Sequence, residues 1–320
     1  MTCRLFFVLC LFFVNIFVIS ITHEASGEKE FPSRSLTYLV FFDPGGQSDQ
    51  EARRQQPYLK RILGQPVIIE YRVGAGGALG WKEFARKTRP DGYTFAGFNL
   101  PHVILQPSRQ DVGYKTNDLE PVALFQRTPL ALAVLMDSPY HTLADFIEAC
   151  RKEPSKITVG GSSIFSASHT ATALMEKLTG AKVSYIPFTG TSPQMAAFIN
   201  GHTDACFANS DDLVRYRDKL RILAFATTER FPEFIETPTF REMGYDLVAA
   251  TERGVCVPSR TPKEIVQKLE KVFLQIMSDV EVQNEMRKNG SIPLVMGTEQ
   301  TKAYMQELSS AYSEVVTKAK

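Results

Sequence analysis

Residues 40–54 read VFFDPGGQSDQEARR. A hydrophobic run stops at Pro44-Gly45-Gly46, and Ser48-Asp49-Gln50-Glu51 follows as a capping-box sequence that opens a helix. Strand, glycine turn, helix is the repeating unit of α/β folds, and the turn after a strand is where such folds bind ligands. Two carboxylates, Asp43 and Asp49, flank the turn and pose the question of what it faces.

The same alternation continues along the chain. Strand-like runs fall at 38–42, 67–71, 94–98, 122–125, 131–135, 157–160, 183–187, 205–208, 222–226 and 255–257, with helical patterns between many of them. This predicts mostly parallel sheets. Thr142 to Asp145 resembles a capping box, and Thr261-Pro262-Lys263-Glu264 supplies cap, proline and N3 acid. The helix after it carries a stripe of Ile265, Val266, Leu269, Val272, Phe273 and Ile276. A helix over 166–179 ends at Gly180, and a shorter one opens at Ser192-Pro193 and closes at Gly201. A last helix runs from about Thr298, with Tyr304, Met305, Leu308, Tyr312 and Val315 spaced to pack. Pro57 is expected to kink or break the first helix.

Composition narrows the function classes. The chain has 320 residues, 44% of them hydrophobic, which suits one large or two medium domains. A formal net charge of +1 and the lack of any basic block argue against a nucleic-acid partner. The apolar segment Leu5–Ile21 follows Arg4 and precedes Ala25-Ser26-Gly27, a signal-peptidase pattern with a cut near Gly27. An uncleaved anchor competes with this reading, since ~17–25 apolar residues span a bilayer. Either way the remainder is expected outside the cytoplasm, in the periplasm or its equivalent. Cys3 and Cys10 leave with residues 1–27. Cys150, Cys206 and Cys256 are odd in number and lack metal or redox spacing, so buried thiols are expected, with one disulfide left open.

Enzyme motifs are incomplete. Ser162 and Ser163 follow glycines, but Ile164 breaks the nucleophile-elbow pattern. The five histidines have no metal spacing, and Leu79 occupies the third glycine position of a dinucleotide loop at Gly74–Gly80. No enzyme activity, cofactor or metal is expected. What remains is a set of glycine- and hydroxyl-rich loops between strands and helices: 44–49, 74–80, 160–169, 187–192 and 209–212. Helix N-termini there present free N–H groups that suit a carboxylate or phosphate.

These stretches resemble the tripartite tricarboxylate transporter substrate-binding proteins, the TctC-like or Bug family of extracytoplasmic receptors. The matching pieces include PGGQSDQEAR (44–53), LGQPVIIE (63–70), GAGGALG (74–80), PDGYTF (90–95), IPFTG (186–190), INGHTD (199–204), LAFATTERFPEF (223–234), PTFREMGY (238–245) and VPSRTPKEIV (257–266), in family order. The resemblance implies a type II periplasmic-binding-protein fold, two α/β lobes around a ligand cleft joined by two crossing strands. Lobe one is expected over 31–127 and 253–320, lobe two over 128–252. The cleft would hold a small carboxylate for a transporter with one large and one small membrane subunit. Oligomeric state is not readable from the sequence, and a monomer is the expectation. A ligand-sensing partner of a signalling receptor is the alternative use of the same fold.

Carried over by the resemblance, the ligand-binding residues are Gly45, Gly46, Gln47, Ser48 and Asp49 from lobe one. Lobe two supplies Ser162, Ser163, Ser166, His169, Thr189 and Gly190. Three departures stand out. The family usually has an apolar residue or proline where Asp43 stands, glycines where Ser163 and Phe165 stand, and Tyr-Lys where Phe188-Thr189 stands. Phe165 is expected to add bulk to the pocket. The candidate loops hold almost no cations, Arg72 being the nearest in sequence. Burying three ligand charges would need more compensation than that. A mono- or dicarboxylate is therefore expected over citrate.

Overall fold

The computed structural model describes residues 30–317, with side chains described through Tyr312. The signal segment, its cut near Gly27, Cys3, Cys10 and the side chain of Val315 lie outside the described residues. Ten strands join in one sheet system. They are β1 (Leu36–Val40), β2 (Val67–Tyr71), β3 (Thr94–Leu100), β4 (Leu119–Leu135), β5 (Thr158–Gly161), β6 (Ser184–Pro187), β7 (Ala205–Asn209), β8 (Leu220–Phe225), β9 (Ala250–Pro258) and β10 (Ile292–Gly297). Their order is β2-β1-β3-β9-β4-β7-β5-β6, with β8 and β10 also paired to β4.

Parallel pairing is confined to the flanks. β1 runs parallel to β2 and β3, and β5 to β6 and β7. Every pairing made by β4 and β9 is antiparallel. The expectation of mostly parallel sheets is corrected at the centre, where two long strands return the chain between lobes. The runs at 122–125 and 131–135 are one strand of 17 residues. Its first part, Leu119–Pro129, pairs with β9, and Leu130–Val134 pairs with β7.

Helices cover both faces of each half, as buried sheets require. On one side Ala52 and Leu59 of α1 (Gln47–Leu63) and Leu269 and Phe273 of α8 (Lys263–Met277) pack on β1 and β3. On the other, Trp81 and Phe84 of α2 (Ala78–Lys87), Val103 and Ile104 of α3 (His102–Arg109) and Met305 of α10 (Thr298–Thr317) do so. The second half is covered by α4 (Leu143–Lys152) and α5 (Ala167–Thr179) on one face. The opposite face carries α6 (Thr191–Ile199) and α7 (Ser210–Arg215). The short α9 (Val280–Lys288) closes against α8 through Val282 and Met286.

Helix boundaries follow caps in part. Thr142 and Asp145 form the expected reciprocal box on α4, and Ser166 caps α5, which stops at the left-handed Gly180. Four readings are corrected. α1 begins at Gln47 with Gly46 as N-cap, so Ser48 is already inside its first turn. Thr261 does not cap α8: its hydroxyl bonds back to the Pro258 carbonyl, and Pro262 is the N-cap. α1 also continues through Pro57, which lies on the exposed face, where the missing N–H costs least. α6 opens at Thr191, one residue before the expected Ser192. Cys150, Cys206 and Cys256 are buried free thiols.

Candidate functional site

The strand-to-helix loops of both halves converge at the carboxyl ends of β1, β3, β5, β6 and β7. The glycine at position 46 shows how closely they meet: a Cβ there would sit 3.4 Å from Thr191 Oγ1 and 3.9 Å from Ser192 Cβ. Thr189 Oγ1 donates to Asp43 Oδ2 at 3.1 Å, so the unusual acid at 43 ties one half to the other. A side chain at Gly76 would strike Ser163 at 2.7 Å, which explains a glycine in the 74–80 loop without any nucleotide. The loop therefore serves close approach of the two halves.

Between these loops lies a small cavity of about 10 Å³, roughly the space of one water. It is lined by Phe42, Gln47, Ser48, Asn99, His102, Ser162, Thr191, Thr251 and Arg253. Three of these, Gln47, Ser48 and Ser162, are sequence-derived site residues. A larger groove of about 730 Å³ between α3 and α10 contains none of the loop residues, and its Lys302 and Glu120 neutralise each other at 2.6 Å.

The first-turn N–H groups of a helix have no intrahelical partner. At α1 these belong to Gln47, Ser48 and Asp49. The N–H groups of Gly45 and Gly46 are already used, by Asp49 Oδ2 at 2.7 Å and by the Asp43 carbonyl at 3.2 Å. Gly45 sits at φ 79°, the left-handed conformation that turns its N–H back onto Asp49.

Asp49 is almost fully buried, yet it does not line the cavity. Its Oδ1 accepts from Arg53 Nε at 2.8 Å and from the Tyr71 hydroxyl at 2.6 Å, while Oδ2 holds Gly45. It shapes the loop that faces the cavity. Ser166 and His169 act likewise in the second half. Ser166 Oγ donates to the Ser163 carbonyl at 2.7 Å and caps α5. His169 Nδ1 accepts from the Phe165 N–H at 3.2 Å, and burial lowers its pKa. Phe165 adopts φ 61°, the conformation a glycine prefers, and its ring meets His169 edge-on. It lies outside the cavity lining, so the expected extra bulk in the pocket is corrected. Gly190 and Thr189 approach the Phe42–Asp43 segment and not the cavity itself.

The cation that sequence reasoning missed is Arg253. Arg72 is half exposed and paired with Glu83. Arg253, on β9, is 2% exposed and lines the cavity. Its guanidinium donates to Thr128 Oγ1 at 2.8 Å and to Gln47 Oε1. Gln47 Nε2 in turn donates to Asp212 Oδ2 at 2.8 Å and to Asp211 Oδ1. Burial and the neighbouring Asp211 charge push Asp212 up to about 8, so the acid pair retains a proton near neutrality. Asn99 and His102 were also missed. Both follow the strand-end rule, and Glu252-Arg253 in an otherwise apolar strand was the readable signal for the third.

Comparisons with known proteins place the fold and the family. Residues 51–320 match the family model described as the tripartite tricarboxylate transporter family receptor. The chain is 28% identical over 292 residues to protein BugT of Bordetella pertussis, covering 89% of each. Two solved structures superpose over most of the chain. One is R. palustris Rpa4515 with adipate (TM-score 0.84, 26% identity, 90% of this chain and 98% of that one). The other is MatC from Rhodopseudomonas palustris with bound malate (TM-score 0.83, 27% identity, 89% and 100%). The two-lobed α/β fold, the converging loops and the matched span lead to one conclusion: the chain belongs to the tripartite tricarboxylate transporter receptor family of periplasmic solute-binding proteins, which are receptors and not enzymes.

Proposed function

We propose that this receptor captures a small mono- or dicarboxylate between its lobes and delivers it to a tripartite membrane transporter with one large and one small subunit. Lobe one is 31–127 with 253–320, and lobe two is 128–252. The protein acts as a monomer outside the cytoplasm, released by signal cleavage near Gly27. The observation that carries the ligand class is the pairing of free α1 amides at Gln47 and Ser48 with the buried Arg253 on one small cavity. Gly45, Gly46 and Asp49 fix the lobe-one loop. Ser162 meets the ligand from lobe two, while Ser163, Ser166 and His169 hold that loop in place. Thr189 and Gly190 close the cleft over Asp43. Adipate and malate, the acids bound by two structural neighbours, are dicarboxylates, which supports this reading.

One guanidinium already facing Asp211, Asp212 and Glu51 compensates little further negative charge. Citrate is therefore disfavoured. A thermal-shift screen with acetate, succinate, adipate, malate and citrate tests this, with titration calorimetry on the hits. A ligand at a hundred times its Kd adds ~2.7 kcal/mol, a rise of several degrees. Tightest binding by citrate would contradict the charge argument, and silence across the acids would contradict the receptor reading.

A further inference from the structure

The cavity wall where β3 leads into α3 beside β9 carries polar groups without a partner among the described residues. His102, the first residue of α3, is 2% exposed, and neither ring nitrogen has a hydrogen-bond partner among the described residues. Its ring stands edge-on to Phe42 at 5.6 Å and tilts against Trp81 at 6.2 Å, so its position is set by packing. Arg253, on the same cavity, has an unpartnered Nε–H. Buried polar groups are ordinarily satisfied, and orphaned ones at a cavity mark where another molecule completes them. Burial, helped by the Arg253 charge, pushes the His102 pKa down to about 3, so the ring is neutral and offers one donor and one acceptor.

That combination selects a chemistry. A carboxylate only accepts and leaves the imidazole lone pair unanswered. An ammonium only donates, and it would face the guanidinium. A hydroxyl both donates and accepts, and it can take the Arg253 Nε–H as well. We propose that His102 and Arg253 form a subsite for a ligand hydroxyl, so that the captured acid is a hydroxycarboxylate. This rests on the carboxylate-receptor reading above, with the carboxylate on the α1 amides and the hydroxyl on the His102 wall.

Calorimetry with matched pairs, propionate against lactate and succinate against malate, reads the subsite as a ratio of affinities. The wild-type protein should bind the hydroxyl member at least tenfold tighter in the pair whose length fits. His102→Phe keeps an aromatic ring between Phe42 and Trp81 but removes both nitrogens, and should bring that ratio below threefold. His102→Gln restores a donor and an acceptor and should recover part of it. A wild-type ratio near one overturns the subsite, even if H102F does not fold. So does a full preference retained in H102F, which would leave the imidazole facing only water. Failure of all four acids to bind overturns the subsite, and the carboxylate reading with it if acetate, adipate and citrate are also silent; binding without preference overturns the subsite alone.

Discussion

At the scale of single residues, Asp49 shows how a carboxylate beside a ligand loop acts without lining the cavity. Its oxygens take the Gly45 amide, the Arg53 guanidinium and the Tyr71 hydroxyl. Replacing Asp49 by Asn weakens all three, at a cost of about 1–3 kcal/mol. The melting temperature should drop by about 2–4 °C per kcal/mol, and ligand affinity should fall with it as the loop loosens. An affinity loss with an unchanged melting temperature would instead put Asp49 on the ligand. This role is not legible locally, because Tyr71 arrives from 22 residues away and no short pattern announces it. Phe165 is a similar case. The glycine expected there reflects a backbone at φ 61°, which this chain adopts with a phenylalanine by packing the ring on His169.

At the scale of elements, the α/β units were legible because each strand is a short apolar run closed by glycine or polar residues. β2 matches its expected bounds, and the stripe on α8 is buried from Val266 to Ile276, with Ile265 half-buried. β4 was not legible as one strand. Gln126-Arg127-Thr128-Pro129 interrupts its hydrophobicity, and those polar residues serve partners far away in sequence. Gln126 meets Glu51 at 2.9 Å and Ser291 at 2.7 Å, and Arg127 meets Glu252 at 3.0 Å. The contact between α1 and α7 was equally hidden, since it joins Gln47 to Asp211 and Asp212 across 164 and 165 positions.

That contact carries a pH dependence. Asp212 faces Asp211 and Arg215 on its own helix, Gln47 on α1 and Arg253 on β9. Its carboxyl titrates at about 3.9 when unfolded but is pushed up to about 8 in the fold. Between those values the folded protein holds a proton that the unfolded chain has released, so stability falls as pH rises. His102 works in the opposite sense below about 6.5, because the fold keeps it neutral down to about 3. From pH 6.5 to 8 the Asp212 effect is unopposed by His102, and the slope is on the order of 1.4 kcal/mol per pH unit at most. The melting temperature should decline across that interval, and Asp212→Asn should flatten the decline. A wild-type melting temperature that is level or rising there would contradict the assignment.

At the scale of the whole molecule, the two halves are held together around the cavity. Thr189 reaches Asp43, Gln47 reaches Asp212, and Ser210 Oγ donates to the Gly290 carbonyl at 2.5 Å. The cavity between the lobes has room for about one water, so on the proposed reading the lobes part to load an acid and close around it. The glycine-rich loops announce the parts of the site carried by the loops at the helix starts, Gln47, Ser48 and Ser162. Asn99 near the end of β3, His102 at the start of α3 and Arg253 within β9 lie outside those loops, and only the paired strands bring them to the same cavity. The most direct test of the account is a crystal structure of the protein with the carboxylate that binds it tightest. The prediction is a ligand carboxylate oxygen within hydrogen-bond distance, about 2.7–3.2 Å, of the Gln47 or Ser48 amide, with the other lobe closed on it through Ser162 and Thr191. A ligand held in the groove between α3 and α10, or one that leaves the α1 amides untouched, would contradict it.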